Sequence, residues 1–417
     1  MAMYIERMIH GEVKKHLKRK EYTIITGPRQ CGKTSLMQAL FGELQSSGES
    51  VSFITFEDRD ILTAINNHPE EVFSFSLRPE KPTDLKELVK HRHFLFIDEV
   101  QHASDPSNFL KYLYDVYGEN LKIVASGSSA FYIDRKFTDS LAGRKRVFEL
   151  KTLSFTEYLK FKEKISFYKE LDLIRNQSGY VSSHMRALME EFNNYLVYGG
   201  YPEVVLEKDN GEKINLLKEI KNSFLKRDVD ESGISNPDKF YNLLALLAGQ
   251  AGNLVNRNEL SNTIGVDHKT TDKYLYVLQN CFHLDLVKPF YSNLRKELTK
   301  MPKIYFKDFG LRNMALNRFF EFRSREDLGA LLENYIYLRL IELYDTDQIK
   351  FWRISETKEI DFIVTTSFGE GVAYEAKMKC KSAKKGVSKS FQEHYPNYPV
   401  KIISFESDSE CKWVLSL

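Results

Sequence analysis

Residues 27 to 34, Gly27-Pro28-Arg29-Gln30-Cys31-Gly32-Lys33-Thr34, have the spacing GxxxxGK[ST] and run on into Ser35. Glycines so placed let consecutive backbone N–H groups wrap an anion, and a helix starting at Lys33 would add the positive end of its dipole. An apolar strand pattern over 22–26 precedes the stretch and a helical pattern follows it, the context that this motif requires. Gly27, Pro28, Arg29, Gln30, Cys31, Gly32, Lys33, Thr34 and Ser35 are therefore the candidate nucleotide-binding residues. Lys33 is suited to the β- and γ-phosphates and the Thr34 hydroxyl to Mg²⁺, so ATP and Mg²⁺ are the expected cofactors.

Further along, Phe94-Leu95-Phe96-Ile97-Asp98-Glu99 reads as a buried strand that ends in two adjacent carboxylates. Packing gives no reason for such a pair. Asp98 is expected to hold Mg²⁺, and Glu99 to orient and deprotonate an attacking water. The next strand runs into Ser126-Gly127-Ser128-Ser129, where Ser126 and Ser128 could touch a phosphate or hold the water; turn chemistry is the plainer reading of either serine alone. Arg144, in Leu141-Ala142-Gly143-Arg144, is a candidate for stabilising transition-state charge, in cis or across a subunit boundary.

A second group of carboxylates lies near the C-terminus. Glu333 falls in a helical pattern over 328–343, Asp361 in a strand over 359–365, and Glu375-Ala376-Lys377 in the next strand. A period of two turns Glu375 and Lys377 to one face. With Glu333 and Asp361 they could hold a hard divalent cation and polarise a water at a phosphodiester. Between the two groups, 259–264 and 268–281 read as helix, turn, helix, followed by a β pair over 285–291 and 303–307 whose connecting turn carries Arg295, Lys296 and Lys300. That is winged-helix order, and Lys269, Lys273, Arg295 and Lys296 form its candidate nucleic-acid face. Asp267, Asp272 and Glu297 dilute that charge, and protein contact is the alternative use of the fold.

The elements needed to position these residues follow from the apolar pattern. Short runs at 22–26, 51–56, 94–98, 123–126 and 147–150 alternate with helical stretches, the rhythm of a parallel, doubly covered sheet. Residues 154–231 read mainly as helices, broken at Tyr198-Gly199-Gly200-Tyr201-Pro202, and from 328 the order is helix, three strands, helix, strand. The expected fold class is α/β: a P-loop NTPase sheet over 1–151, a helical lid or linker over 152–236, a winged-helix region over 237–322 and a C-terminal α/β domain over 323–417.

Composition narrows the setting. The 417 residues are 42% hydrophobic and 28% charged, which is globular and excludes a disordered or fibrous chain. Lys+Arg 60 against Asp+Glu 58 leaves a net charge of +2, so any contact with nucleic acid must be local. The four cysteines, Cys31, Cys281, Cys380 and Cys411, have no CxxC spacing. Neither a disulfide nor a zinc site is expected, and a reducing compartment fits. No apolar run is long enough to span a bilayer, and the first twenty residues lack a signal-peptide core. A soluble, cytoplasmic protein without a membrane partner is expected.

In order along the chain, Gly-Pro-Arg-Gln-Cys-Gly-Lys-Thr-Ser, Phe-Ile-Asp-Glu-Val-Gln, Ser-Gly-Ser-Ser and Leu-Ala-Gly-Arg resemble the prokaryotic AAA+-like ATPases that carry a C-terminal domain of unknown function. Tyr-Gly-Gly-Tyr-Pro-Glu at 198–203, Lys-Ile-Tyr-Phe-Lys-Asp-Phe-Gly-Leu at 303–311 and Glu-Ile-Asp-Phe-Ile-Val at 359–364 extend the resemblance over nearly the whole chain. It implies an ATP-binding module, a winged-helix segment and a nuclease-like end domain. Glu333, Asp361, Glu375 and Lys377 resemble the PD-(D/E)xK nuclease set, as in archaeal Holliday junction resolvases, with Ile360 where many members carry proline. The expected function is Mg²⁺-dependent ATP hydrolysis coupled to action on DNA or a protein partner, with a homo-oligomer needed if Arg144 acts in trans. The alternatives are an ATP-regulated metal-dependent nuclease and a nucleotide-dependent scaffold.

Overall fold

A computed structural model of the chain describes residues 4–81, 92–127, 141–177, 180–291, 293–320, 324–355, 358–380, 385–406 and 411–417. They fall into two compact units, 1–151 with 280–282, and the rest of the chain from 152 onward.

In the first unit the five apolar runs become β1 (Tyr22–Thr26), β2 (Ser50–Thr55), β3 (His93–Asp98), β4 (Leu121–Gly127) and β5 (Lys145–Glu149). They form one sheet in the order β2-β3-β4-β1-β5, with every pairing parallel. β1, β3 and β4 are buried along their whole length, because helices cover both faces. Alternation divides their side chains between two cores. Ile24, Leu95 and Ile123 join Leu110 and Leu113 of α4 (Pro106–Tyr117), while Ile25, Phe96 and Val124 join Val13 of α1 (His10–His16) and Leu36, Met37 and Leu40 of α2 (Lys33–Ser46). α3 (Arg59–Asn67) follows β2 and is capped by the Asp58 carboxylate. Since all five strands run the same way, the chain leaves β1, β3 and β4 at one edge. That edge receives the loop at 27–32, the Asp98-Glu99 pair and Ser126.

The second unit begins with α5 (Phe155–Phe161), α6 (Ile165–Asn176), α7 (Met185–Tyr198), α8 (Pro202–Leu206) and α9 (Asn210–Ser232), as the helical reading anticipates. The break at Gly199-Gly200 has a packing cause. Gly199 has φ +76°, and a Cβ there would lie 2.4 Å from both the Asp308 carboxylate and the Gly310 nitrogen. Buried Asp308 accepts the Gly200 N–H at 2.8 Å and, as the N-cap of the later α14, the Leu311 N–H at 3.0 Å. Two of the sequence segments that carried the resemblance therefore fasten to each other.

α10 (Pro237–Gly249), α11 (Arg257–Ile264) and α12 (His268–Asn280) precede the antiparallel pair β6 (Leu284–Val287) and β7 (Lys303–Phe306). The connection expected to be a turn contains α13 (Leu294–Thr299) instead. Glu297, in that helix, is buried and pairs with Lys350 at 2.7 Å, which anchors the segment to β8 (Ile349–Ser355). α14 (Phe309–Leu316) leads to α15 (Leu328–Leu343), β8 (Ile349–Ser355), β9 (Lys358–Ser367), β10 (Glu370–Lys377), α16 (Lys385–His394), β11 (Val400–Ser404) and β12 (Lys412–Trp413). This second five-stranded sheet has the order β12-β11-β10-β9-β8; β8, β9 and β10 are antiparallel neighbours, and β11 and β12 pair in parallel.

The expectation that no cysteines pair is corrected. Cys380 and Cys411, 31 residues apart in sequence with Cα atoms 5.8 Å apart, form a disulfide, while Cys31 and Cys281 are buried. Cys380 follows β10 and Cys411 precedes β12, so the sheet order closes a distance that sequence spacing conceals. The scatter of cysteines is thus no argument for a reducing compartment. Among the described residues, no helix is long and apolar enough to cross a membrane.

Candidate functional site

The loop after β1 is built to turn sharply. Gly27 has φ +145° and Gly32 has φ +98°, and a Cβ on Gly27 would lie 2.0 Å from the Leu150 carbonyl oxygen, which leaves glycine as the residue that fits. Buried Cys31 donates its thiol to that same carbonyl at 3.2 Å. The Arg7 guanidinium, which sequence reading passes over, donates to the carbonyls of Cys31 and Lys151, each at 2.7 Å, and so ties the loop to the chain leaving β5. Lys33, 5% exposed, folds back over the loop and donates to the carbonyls of Gly27 at 3.0 Å and Pro28 at 2.9 Å. Gln30 and Ser35 face solvent, and Arg29 is half-buried.

The acidic strand end meets this loop directly. Thr34 donates its hydroxyl to Asp98 Oδ2 at 2.8 Å, and Ser126 donates to Asp98 Oδ1. The Ser126 hydroxyl also accepts the Glu99 N–H at 2.9 Å. Glu99 sits at φ +56°, ψ +47°, a left-handed conformation that costs a residue with a side chain roughly 1–2 kcal/mol. Its carboxylate accepts a hydrogen bond from the Gln101 side chain, the second contributor that sequence reading misses although it stands in the same motif. Thr34, Asp98, Ser126 and Glu99 thus form one connected set across the edge of three strands. Ser128 lies outside the described residues.

The donor set suits a nucleotide and its metal. Loop amides and an ammonium match phosphate oxygens, and a hydroxyl beside a carboxylate matches a hard divalent ion.

Arg144 does not belong to this set in cis, which corrects that expectation. It immediately precedes Lys145, the register partner of Tyr22, at the start of β1. The phosphate loop follows the other end of that strand, about 16 Å away at the rise of a parallel strand. Its guanidinium pairs with Asp115 through Nε at 2.9 Å and Nη2 at 3.4 Å.

The C-terminal carboxylates divide differently from the expected quartet. Phe362 pairs with Tyr374, so alternation puts Asp361 and Glu375 together on the other face of the sheet. Yet buried Glu375 pairs with Lys377 at 2.8 Å, and the carboxylates that come within ligand distance of one another are Glu333, Glu359 and Asp361. Glu359 takes the place foreseen for Glu375. Asp361 also accepts the Ala376 N–H at 2.8 Å. Burial, reinforced by the Asp361 charge, pushes the Glu333 carboxyl up to about 7 against the opposing pull of Lys303.

On the expected nucleic-acid face, Lys269 and Arg295 are exposed and Lys273, also exposed, donates to the Gly233 carbonyl at 2.6 Å. Lys296 falls in α13, and its side chain lies outside the described residues.

Three family models match separate stretches of the chain. Residues 19–159 match an AAA domain, 189–321 a domain of unknown function (DUF8612) and 328–413 a domain of unknown function (DUF4143). An uncharacterized protein of Haemophilus influenzae is 25% identical over 350 residues, 82% of this chain and 78% of that protein. One from Methanocaldococcus jannaschii is 23% identical over 371 residues, 87% of this chain and 76% of that one. Among solved structures, the Aeropyrum pernix ORC2 protein is 13% identical, with a TM-score of 0.30 over 76% of this chain and 97% of that one. AMPPCP-bound DnaA from Aquifex aeolicus is 15% identical, with a TM-score of 0.28 over 67% of this chain and 89% of that one. The five-stranded parallel sheet and the AAA-domain match over 19–159 give the first unit an AAA+-like, P-loop NTPase fold, and the chain ends in a DUF4143 region over 328–413.

Proposed function

We propose that the chain binds and hydrolyses ATP with Mg²⁺, and that the winged-helix and nuclease-like regions, taken as 237–322 and 323–417, carry the result to DNA or a protein partner. The observation that supports this reading best is Asp98, bonded at once to Thr34 of the phosphate loop and to Ser126, beside Glu99 in its left-handed backbone. Lys33 would exchange its two loop carbonyls for phosphate oxygens. Thr34 and Asp98 would hold Mg²⁺, which neutralises phosphate charge when bound. Glu99, aligned by Gln101 and Ser126, would orient a water and take its proton. Phosphate release from ATP, measured with and without Mg²⁺, tests the reading. Mg²⁺-dependent release that is absent in Lys33→Ala supports it, and no release by the wild type leaves the scaffold alternative.

Arg144→Ala is expected to keep wild-type turnover per chain in dilute protein, because its guanidinium belongs to Asp115. A loss of roughly a thousandfold or more that appears only as protein concentration rises would instead identify a finger in trans.

Exposed Lys269 and Lys273 at the start of α12 support a phosphate-tracking face. Replacing both with alanine is expected to weaken duplex DNA binding across sequences and flatten its salt dependence, by roughly 0.9 log units per lost contact. An unchanged slope in a filter-binding series would favour a protein partner.

A further inference from the structure

Lys303 is the first residue of β7, 1% exposed, and paired with Val287 at the end of the two-stranded ladder. Its ammonium lies 2.8 Å from Glu333 Oε1 and 3.8 Å from Asp361 Oδ1, and it forms an ion pair with Glu359. These are the three carboxylates whose ligand atoms all lie within 4.8 Å of one another. Oxygens on opposite sides of a Mg²⁺, Mn²⁺ or Ca²⁺ ion are separated by roughly 4–5 Å, twice the metal–oxygen distance. The ammonium therefore stands where such an ion would stand.

Three elements converge to build this arrangement. Glu359 and Asp361, two residues apart on β9, share a face, and Glu333 reaches them from α15. Tyr305, two residues on from Lys303, donates its hydroxyl to Glu333 Oε1 at 2.5 Å and holds that carboxylate against the lysine. Arg353 pairs with the second oxygen of Glu359 at 3.1 Å. Even with all three carboxylates ionised, three against two cations leave one net negative charge, too little to draw in a divalent ion past a buried ammonium. With Lys303 removed, two net charges would face a space that hard cations favour.

We propose that Lys303 is a tethered cation that keeps this centre shut to divalent metal, and that withdrawing it turns Glu333, Glu359 and Asp361 into a Mg²⁺ or Mn²⁺ site. The lysine comes from the segment matched to DUF8612 and the carboxylates from the one matched to DUF4143, so metal uptake at the C-terminal sheet is governed by the seating of β7. This inference is independent of the nucleotide site and requires no hydrolysis.

Mn²⁺ binding to the full chain, without nucleotide, tests it through loss of the free-ion paramagnetic resonance signal. Wild type and Lys303→Arg are expected to bind no Mn²⁺ that depends on Asp361. Lys303→Met should take up one additional ion per chain. Adding Asp361→Asn to Lys303→Met should abolish that ion. Wild-type binding that Asp361→Asn removes would overturn the proposal, as would a Lys303→Met chain with wild-type circular dichroism and no additional ion. Because Lys303→Met leaves buried carboxylates uncompensated, thermal melts of Lys303→Gln give a second reading. Mn²⁺ should raise its melting temperature and leave the wild type unmoved. Equal responses in the two chains, or none in either, would also overturn it.

Discussion

Glu99→Gln is expected to bind ATP with nearly wild-type affinity and to release phosphate roughly 10²–10⁴ times more slowly, the usual contribution of a positioned general base. The amide preserves size and still meets Gln101, but it cannot accept a proton from water. Lys33→Ala should fail earlier, at binding, because the charge that captures the phosphates is gone. Comparing nucleotide affinity with turnover separates the two variants. Hydrolysis undiminished in Glu99→Gln would remove Glu99 from the mechanism, whatever its backbone conformation.

The second large effect is on stability. Asp308→Ala would orphan the buried N–H groups of Gly200 and Leu311, at roughly 1–3 kcal/mol each, and leave a cavity between two tightly apposed backbones. A loss of about 2–5 kcal/mol is expected, seen as a melting temperature lower by on the order of 10 °C. Asp308→Asn keeps an acceptor and should recover part of it. Gly199→Ala should fail comparably, since its Cβ would meet the Asp308 carboxylate and Gly310 at 2.4 Å and the backbone would be strained besides. A melting curve for Asp308→Ala that overlays the wild type would mean that the clasp between these segments contributes little.

The phosphate loop was legible because its chemistry is local: eight consecutive residues, a strand before and a helix after. The carboxylate pair at Asp98 and Glu99 was legible for the same reason, and α15 begins and ends where its apolar pattern does. What escaped depends on distant partners. Lys303 reads as an ordinary strand-edge lysine until β7 is set against α15 and β9, 30 residues and more further along. Glu359 looked like a neighbour of Asp361 rather than its partner because the pleat had not been joined to Glu333. The place of Arg144 is hidden too, since a cation before a strand of the right sheet can stand at either end of it, and register alone decides which. The Cys380–Cys411 bond and the helix between β6 and β7 likewise follow from how the second unit closes up. A periodic pattern in one segment does not carry that information.

Lys33 has two acceptors within its own loop, the carbonyls of Gly27 and Pro28. A newcomer must outbid that internal solvation, and neutral oxygens merely match it. A charged acceptor competes for the ammonium better than a neutral one, because hydrogen bonds between ionised groups are the stronger kind. The same two carbonyls that hold Lys33 thus set what a competing acceptor must offer, through chain geometry and not through any side chain of the motif.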